Sequence, residues 1–246
     1  MITSVYSGGL GNQLFQVVAG YFLAKDNNDE YGINPDLSKG LGQGSAITAY
    51  TDSIFKNVKK TKHAGLNLYT EPQFNYTAIE YSEDLLLEGY FQSEKYFLNK
   101  RDAINELLDF RCDEAPTNVC VIHVRTGDYL NRTEFDVVTP RYFQNAINYV
   151  LSINPAVVFK VVADNDSHAL RYIPSDIKYE FVSSDDELRD LRTISQCDYS
   201  IISNSSFAWW GSYLGKGKMT LAPSTWFNVN YSVADVYRND MIQIEI

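Results

Sequence analysis

The chain has 246 residues, which is enough for one large domain or two smaller ones with a sizeable buried core. Its 45% hydrophobic and 21% charged residues form an ordinary globular balance, which excludes a disordered chain. The net charge of −10 excludes a general binder of nucleic acids or anionic membranes, because the overall electrostatic force would be repulsive. Any phosphate that the protein binds must therefore be met by a few placed arginines and backbone amides.

Short β-rich runs alternate with helical patterns along the first half of the chain. A glycine turn over 8–11 separates the first strand from a helix that is apolar on nearly all sides. The stretch 36–80 has weak periodicity, so only loops and short strands are expected there. The other predicted elements are strands over 2–7, 30–33 and 85–92, a helix over 12–25, and a helix capped by Ser93 that carries Phe97, Ile104, Leu107 and Leu108 on one side.

The second half of the chain contains clearer strand signals. Residues 119–124 form a continuous apolar run, which is typical of a strand buried on both faces, and 157–163 form another. Thr139 and Pro140 are typical of the cap and first residue of a helix. The remaining predicted elements are a helix after a capping box at 184–187, a strand over 199–202, a helix from about Phe207 and a last strand over 219–222.

This alternation of strands and helices predicts an α/β fold with mainly parallel sheets. The polar sequence Asp-Glu-Ala-Pro-Thr-Asn breaks the pattern near residues 110–118, so we predict a division into two Rossmann-like halves, 1–112 and 113–246. Doubly wound parallel sheets bind nucleotides at the carboxyl ends of their strands, so residues at those ends are the candidate site.

The first such segment is the glycine turn from Gly8 to Gln13. Glycines let the backbone approach a ligand closely, and the following helix offers amides and a positive dipole end to a diphosphate. A dinucleotide-binding turn is one alternative, but Leu14 stands where its third glycine belongs. A plain strand-to-helix turn without a ligand is the other.

The second segment, from His123 to Tyr129, contains an arginine directly after a buried strand. Arg125 is placed to hold a phosphate through two parallel hydrogen bonds and to stabilise charge on a departing diphosphate. The alternative is a structural ion pair between Arg125 and Asp128 across the turn. His123 lies within the strand, where a buried structural histidine and a functional one are both consistent with the sequence.

The third segment is a run of small polar residues, 203–206, followed by Phe207 and two tryptophans. Hydroxyl side chains at a helix start supply donors together with the backbone amides, which suits a phosphate, although they also serve as helix caps. Trp209 and Trp210 are predicted as core residues, with a sugar platform as the alternative.

Asp164 and Asn165 follow the strand over 157–163. A carboxylate there could accept both N1–H and N2–H of guanine. The alternative is a turn in which the Asp and Asn side chains bond their own backbone. The acidic run 185–187 is assigned to helix capping.

Cysteine spacing and the N-terminal sequence favour no special chemistry. Cys112, Cys120 and Cys197 form no CxxC pair and the histidines lack ligand spacing, so neither a disulfide framework nor a metal site is expected. Cys120 is predicted to be a small buried hydrophobe. No signal peptide or membrane-spanning segment is recognisable, so a cytoplasmic protein is expected.

Taken together, four segments resemble the α-1,2-fucosyltransferases of glycosyltransferase family 11. They are residues 8–16, 88–97, 123–129 and 201–211, which occur in the family's order and span most of the chain. The resemblance implies a GT-B-like fold and GDP-β-L-fucose as co-substrate, with neither a cofactor nor a metal. It also implies inversion at the anomeric carbon and a terminal β-galactoside acceptor that attacks through its 2-hydroxyl.

The resemblance also implies roles for individual residues. Arg125 would hold the donor diphosphate and Asp164 would read guanine. For the general base the resemblance assigns no residue; Asp128, within reach in the loop after Arg125, is the first candidate and Glu88 the second. The other residues expected at the donor site are Gly11, Asn12, Gln13, His123, Asn204, Ser205, Ser206 and Phe207.

The chain departs from the family pattern in three respects. Thr126 stands where a second arginine is commonest, Asn165 replaces a usual second aspartate, and the chain is shorter than most relatives. These departures affect acceptor choice more than donor class. Three alternative functions remain open at this stage: another GDP-fucose-dependent transferase, a glycan-binding module without catalysis, and a nicotinamide-dependent dehydrogenase.

Overall fold

A computed structural model of the chain describes residues 1–39, 44–110, 118–129 and 132–246, with the side chain of Asp128 excepted. The chain divides into two units. Unit 1 comprises Met1–Arg111 and Ser232–Arg238, and unit 2 comprises Cys112–Tyr231 and Asn239–Ile246.

Unit 1 contains a parallel sheet of three short strands. The elements in chain order are β1 (Thr3–Ser4), α1 (Leu10–Asp26), β2 (Asn67–Thr70), β3 (Leu85–Glu88) and α2 (Arg101–Leu107). Short 3₁₀ helices cover Pro35–Leu37, Ile47–Ala49, Glu94–Phe97 and Ala234–Val236. The strand order is β1-β3-β2, and both pairings are parallel.

Helix α1 is buried on nearly all sides, as its apolar sequence predicts. Gly20 allows the close approach of Tyr31, since a Cβ at this position would lie 2.4 Å from Cε2 of the Tyr31 ring. The helix therefore forms the centre of the unit 1 core.

Several predictions for unit 1 were wrong in their bounds, among them the strand expected over 85–92, which ends at Glu88. The strand expected over 2–7 is reduced to β1 with isolated bridges at Ile2 and Tyr6, and the strand expected over 30–33 forms only isolated bridges at Tyr31 and Ile33, because each of these residues pairs singly and with a different segment. The helix expected after Ser93 is divided. Ser93 does cap a short helix, but Asn99 adopts a left-handed conformation with φ 62°, so α2 begins separately.

Unit 2 contains a six-stranded sheet with helices between its strands. Its elements are β4 (Val119–Val124), a 3₁₀ helix (Gly127–Tyr129), α3 (Pro140–Ile153), β5 (Val158–Ala163), α4 (Asp166–Ala169), β6 (Tyr179–Phe181), α5 (Glu187–Ser195), β7 (Tyr199–Ile202), α6 (Ser206–Leu214), β8 (Met219–Pro223) and β9 (Met241–Ile244). The strand order is β6-β5-β4-β7-β8-β9, and every pairing is parallel. The prediction of an α/β fold with mainly parallel sheets is therefore confirmed.

The buried β4 lies in the middle of this sheet, with α3 packed over it. Residues of β4, α3, β5 and β7 share one hydrophobic core that includes Ile122, Phe143, Ile147, Val161 and Ile201. Thr139 caps α3 by accepting a hydrogen bond from the Tyr142 amide, as predicted. This core fixes the strand ends at which the candidate site lies.

The predicted capping box of α5 was placed two residues too early. Asp186 is the cap, and its carboxylate accepts hydrogen bonds from the amides of Leu188 and Arg189. The Ser184 hydroxyl accepts from the amide of Asp186 itself at 3.2 Å and donates to Asp190 at 2.8 Å, so it supports the cap residue without binding an amide of α5. The prediction that the acidic run 185–187 caps a helix is confirmed for Asp186.

Candidate functional site

The candidate site lies at the carboxyl ends of β4 and β7, the two central strands of unit 2. From β4 the chain continues outwards to β5 and β6 on one side of the sheet. From β7 it continues outwards to β8 and β9 on the other side. Loops that follow two such strands diverge and leave a crevice, which is where doubly wound sheets bind ligands. The second and third sequence segments are the loops at this point.

The backbone of Arg125 is held by the loop that follows β7. Ser203 is fully buried, and its hydroxyl accepts a hydrogen bond from the Arg125 amide and donates one to the carbonyl of His123, both at 2.9 Å. A serine side chain thus continues the pairing of β4 and β7 beyond their last paired residues. The position of Arg125 at the sheet edge is fixed by this contact.

The guanidinium of Arg125 lies between an acidic side chain and an aromatic ring. Its Nε is 3.5 Å from Oδ2 of Asp164, and its Cζ lies 5.5 Å from the centroid of the Tyr129 ring. The Tyr129 hydroxyl in turn donates to the carbonyl of Asn204 at 3.2 Å. The arginine side chain is 23% exposed, so it can meet a ligand while its stem is held in place. A planar guanidinium held in this way suits a phosphate group.

Asp164 binds the loop after β4 and does not close a turn with its own backbone. Its carboxylate accepts hydrogen bonds from the amide and the hydroxyl of Thr126 and from the amide of Gly127. Asn165 does behave as a local cap, since its side chain accepts from the His168 amide at the start of α4.

His123 is a buried neutral histidine. Burial lowers its pKa to about 4, with Arg125 acting in the same direction and Asp164 opposing it. The ring lies 6.1 Å from that of Phe207, and within the described part of the chain its Nδ1 has no hydrogen-bond partner. At neutral pH the imidazole therefore carries no charge, and it can offer one donor and one acceptor.

The polar run after β7 divides into structural and accessible members. Asn204 is fully buried, and its side-chain amide donates to the carbonyls of Phe135 and Trp226. Ser205 precedes α6 in the cap position, but its side chain accepts no hydrogen bond from the helix amides, while Ser206 and Phe207 are partly exposed. The accessible part of the run is therefore the start of α6.

The two tryptophans of α6 are core residues, as predicted. Both are fully buried and pack edge to face against each other, with ring centroids 5.2 Å apart. Cys120 is also fully buried, and burial raises the pKa of its thiol well above the usual value. Cys120 is therefore a buried core residue of β4 with an unreactive thiol.

The glycine-turn residues Gly11, Asn12 and Gln13 lie in unit 1, on the first turns of α1. The Gln13 amide donates to the carbonyls of Gly8 and Ser45, and Asn12 accepts a hydrogen bond from the side chain of Gln92. Gly8 has φ 77°, and a Cβ there would lie 2.1 Å from the Asn12 side chain, so glycine is required. The contact between Gln92 and Asn12 joins the segments that follow β3 and β1 within unit 1.

The two candidate general bases differ in what surrounds them. Glu88, at the end of β3, is paired with Lys39. The side chain of Asp128 lies outside the described residues; its backbone belongs to the short helix after β4.

Sequence reasoning overlooked the carboxylate of Glu71. It accepts hydrogen bonds from the amides of Tyr90 and Phe91, and burial raises its pKa. Glu71 follows β2 in the stretch 36–80, where no pattern marks it. The individual contacts of Tyr129 and Ser203 were also overlooked, although these residues lie in the second and third sequence segments.

The part of the chain that the structure describes holds no group of three or more His, Cys, Asp or Glu side chains placed to bind a metal ion. Among the same residues, none of the helices combines the length and the apolar composition required to cross a bilayer.

Comparisons with known proteins give a consistent picture. The family model described as Glycosyl transferase family 11 matches residues 43–245. An α-1,2-colitosyltransferase of Escherichia coli is 26% identical, with 92% of each chain covered. A galactoside 2-α-L-fucosyltransferase of Caenorhabditis elegans is 31% identical, covering 89% of this chain and 70% of its own. Among solved structures, fucosyltransferase NodZ from Bradyrhizobium matches with a TM-score of 0.48 at 14% identity, over 87% of this chain and 93% of its own.

Proposed function

The chain belongs to glycosyltransferase family 11, and from this membership we propose that it transfers L-fucose from GDP-β-L-fucose to the 2-hydroxyl of a terminal β-galactoside, with inversion. The observation that carries the proposal is the partly exposed guanidinium of Arg125, which Asp164 and Tyr129 hold at the carboxyl ends of β4 and β7 in a doubly wound sheet. We assign the donor nucleotide to the half over 113–246 and the acceptor to the half over 1–112.

The proposed reaction is a single displacement. The acceptor oxygen bonds to C1 of fucose while the bond from C1 to the diphosphate oxygen breaks, and its electron pair leaves with GDP from the opposite face. Arg125 and the backbone amides at the start of α6 stabilise the charge that grows on the diphosphate. Gly11 and Asn12 are the residues of unit 1 assigned to the same group.

The acceptor hydroxyl also gives up a proton in this reaction. Asp128 and Glu88 are the candidate proton acceptors, and Asp128 is preferred because its loop follows Arg125 directly. His123 is assigned to donor binding as a neutral hydrogen-bonding group, in keeping with its lowered pKa.

A second candidate function is transfer of colitose, and the similarity to an α-1,2-colitosyltransferase over 92% of both chains favours it. Both candidates form an α-1,2 linkage and differ in the sugar. Arg125 has the same proposed role in each, because that role concerns the diphosphate.

The test of this function combines calorimetry with transfer assays in the presence of a chelator. We expect wild-type protein to bind GDP and GDP-fucose well and UDP-galactose weakly. Arg125→Ala is expected to lower the transfer rate by about 10²–10³-fold, because loss of one placed donor to a growing oxyanion costs about that much. Transfer rates to β-galactoside acceptors with fucose and colitose donors in parallel separate the two candidates, and linkage analysis of the product tests the α-1,2 bond that both would form.

Arg132→Ala is the matched control for this test. Arg132 lies in the same unit but is 54% exposed and pairs with Glu134, so its loss should leave GDP binding intact. Wild-type transfer by Arg125→Ala, or absence of GDP binding by the wild type, would contradict the proposed function.

A further inference from the structure

The carboxylate of Asp164 accepts hydrogen bonds from both residues that follow Arg125 in the loop after β4 and forms an ion pair with Arg125 itself. Oδ1 accepts hydrogen bonds from the amide and hydroxyl of Thr126, at 3.0 and 2.9 Å. Oδ2 accepts one from the Gly127 amide at 2.7 Å and lies 3.5 Å from Nε of Arg125. An ionised carboxylate has about four acceptor positions, and here three hydrogen-bond donors and the Arg125 guanidinium surround it.

The sheet register explains why Asp164 meets this loop. Strands β4 and β5 are parallel neighbours, and their last paired residues are Val124 and Ala163. The next residue on each strand is Arg125 on β4 and Asp164 on β5, so the two side chains leave the sheet side by side. The contact is a consequence of strand pairing and needs no ligand to form.

We propose that Asp164 is a positioning residue for Arg125: it fixes the loop 125–127 and the guanidinium that binds the donor diphosphate, and it does not read the guanine base. This inference rests on the proposed function, since it assumes a diphosphate-bearing donor. Base reading would require both carboxylate oxygens to accept from N1–H and N2–H of guanine. Those oxygens would first have to release the donors of Thr126 and Gly127.

The energetic reason for such a residue is the freedom of an arginine side chain. An unrestrained arginine loses rotamer entropy when it binds a phosphate, whereas one held by a carboxylate and a ring has already lost it. The ion pair is also partly buried, with side-chain exposures of 23% for Arg125 and 17% for Asp164. Removal of the carboxylate charge therefore loosens the loop and leaves donors without acceptors.

The test measures which part of the nucleotide Asp164 affects. Calorimetric titrations of wild type and Asp164→Asn with GMP, GDP and IDP give two ratios: the preference for GDP over GMP reports the diphosphate contact, and the preference for GDP over IDP reports the 2-amino group of the base. We expect Asp164→Asn to lower the GDP-over-GMP preference by about tenfold, as for loss of a charge-assisted hydrogen bond, and to leave the GDP-over-IDP preference at its wild-type value.

Asp166→Asn is the matched control. Asp166 lies two residues further along the same connection and accepts a hydrogen bond from the Ser183 hydroxyl at 3.0 Å, so both ratios should match those of the wild type. The opposite pattern for Asp164→Asn would overturn the proposal: loss of discrimination against IDP with an unchanged GDP-over-GMP preference means that Asp164 reads the base.

A double variant tests whether Asp164 acts through Arg125. In an Arg125→Ala background, Asp164→Asn should cause no further loss in the GDP-over-GMP preference, because its effect acts through Arg125; additive losses would contradict the positioning role. Should Asp164→Asn fail to fold, Thr126→Val removes the hydroxyl donor to Asp164 while keeping both charges. A smaller fall in the GDP-over-GMP preference is then expected, and an unchanged preference would contradict the positioning role.

Absence of GDP binding by the wild type overturns the proposed function together with this inference. Altered base discrimination in Asp164→Asn overturns this inference alone.

Discussion

Several small polar side chains at strand ends in this protein hold the backbone of neighbouring loops. Ser203 joins two loops, and the amides of Asn204 and Gln13 donate to backbone carbonyls. Sequence motifs placed these residues at the right strand ends. They did not indicate where each side chain points, because that direction depends on neighbours such as Trp226 and Ser45, which are distant along the chain.

The lowered pKa of His123 predicts an acid-dependent loss of stability. The pKa is 6.5 for an ordinary histidine and about 4 in the folded chain, so below 6.5 the unfolded state binds more protons and folding becomes less favourable. The loss should approach about 1.4 kcal/mol per pH unit within this window and be absent above it. Urea unfolding of wild type and His123→Gln across the window measures it. Equal losses in the two proteins would contradict the assignment, since carboxylates titrate in both.

At the scale of elements, the sequence predicted best the strands that are buried on both faces. The strand over 119–124, which a nearly continuous apolar run marks, and the strand over 199–202, which ends in two isoleucines, were placed correctly. The strands β2, β6 and β9 were not predicted individually. Each has three or four residues, lies at a sheet edge and is partly exposed, so neither an apolar run nor an alternation identifies it.

The start of α5 offers a test of helix capping. Asp186→Ala should lower the free energy of unfolding by about 1 kcal/mol, because the amides of Leu188 and Arg189 lose their acceptor. Asp185→Ala is the control, since Asp185 is exposed and precedes the cap. Chemical denaturation of both variants measures the difference. A larger loss in Asp185→Ala than in Asp186→Ala would mean that the cap has been assigned to the wrong residue.

At the scale of the whole molecule, the resemblance to glycosyltransferase family 11 is confirmed by the match over residues 43–245. The sequence did not indicate that Ser232–Arg238 belongs to unit 1. Asp235 ties this segment into the unit by accepting hydrogen bonds from the Tyr76 amide and the Lys95 ammonium. Contacts between residues so far apart in the chain leave no periodic signal.

Removal of the C-terminal segment should therefore affect both units. A chain that ends at Tyr231 lacks the partner of the Tyr76 amide in unit 1 and the strand β9 that pairs with β8 in unit 2. Hydrogen exchange at Tyr76 and along β8 should accelerate relative to the full chain. Tyr231→Ala in the full chain is the control, because that side chain is 57% exposed. Unchanged protection of the Tyr76 amide in the shortened chain would contradict the docking of the segment.

The insertion of Ser232–Arg238 into unit 1 also bears on the order of events during synthesis. Domains usually fold as they leave the ribosome, the N-terminal one first. Here five of the six strands of unit 2 have been translated by Pro223, whereas unit 1 still lacks its last segment. The N-terminal unit thus receives its last segment only after most of unit 2 has been made, and β9 of unit 2 follows that segment directly. Neither unit can therefore be completed before the other has nearly all of its chain.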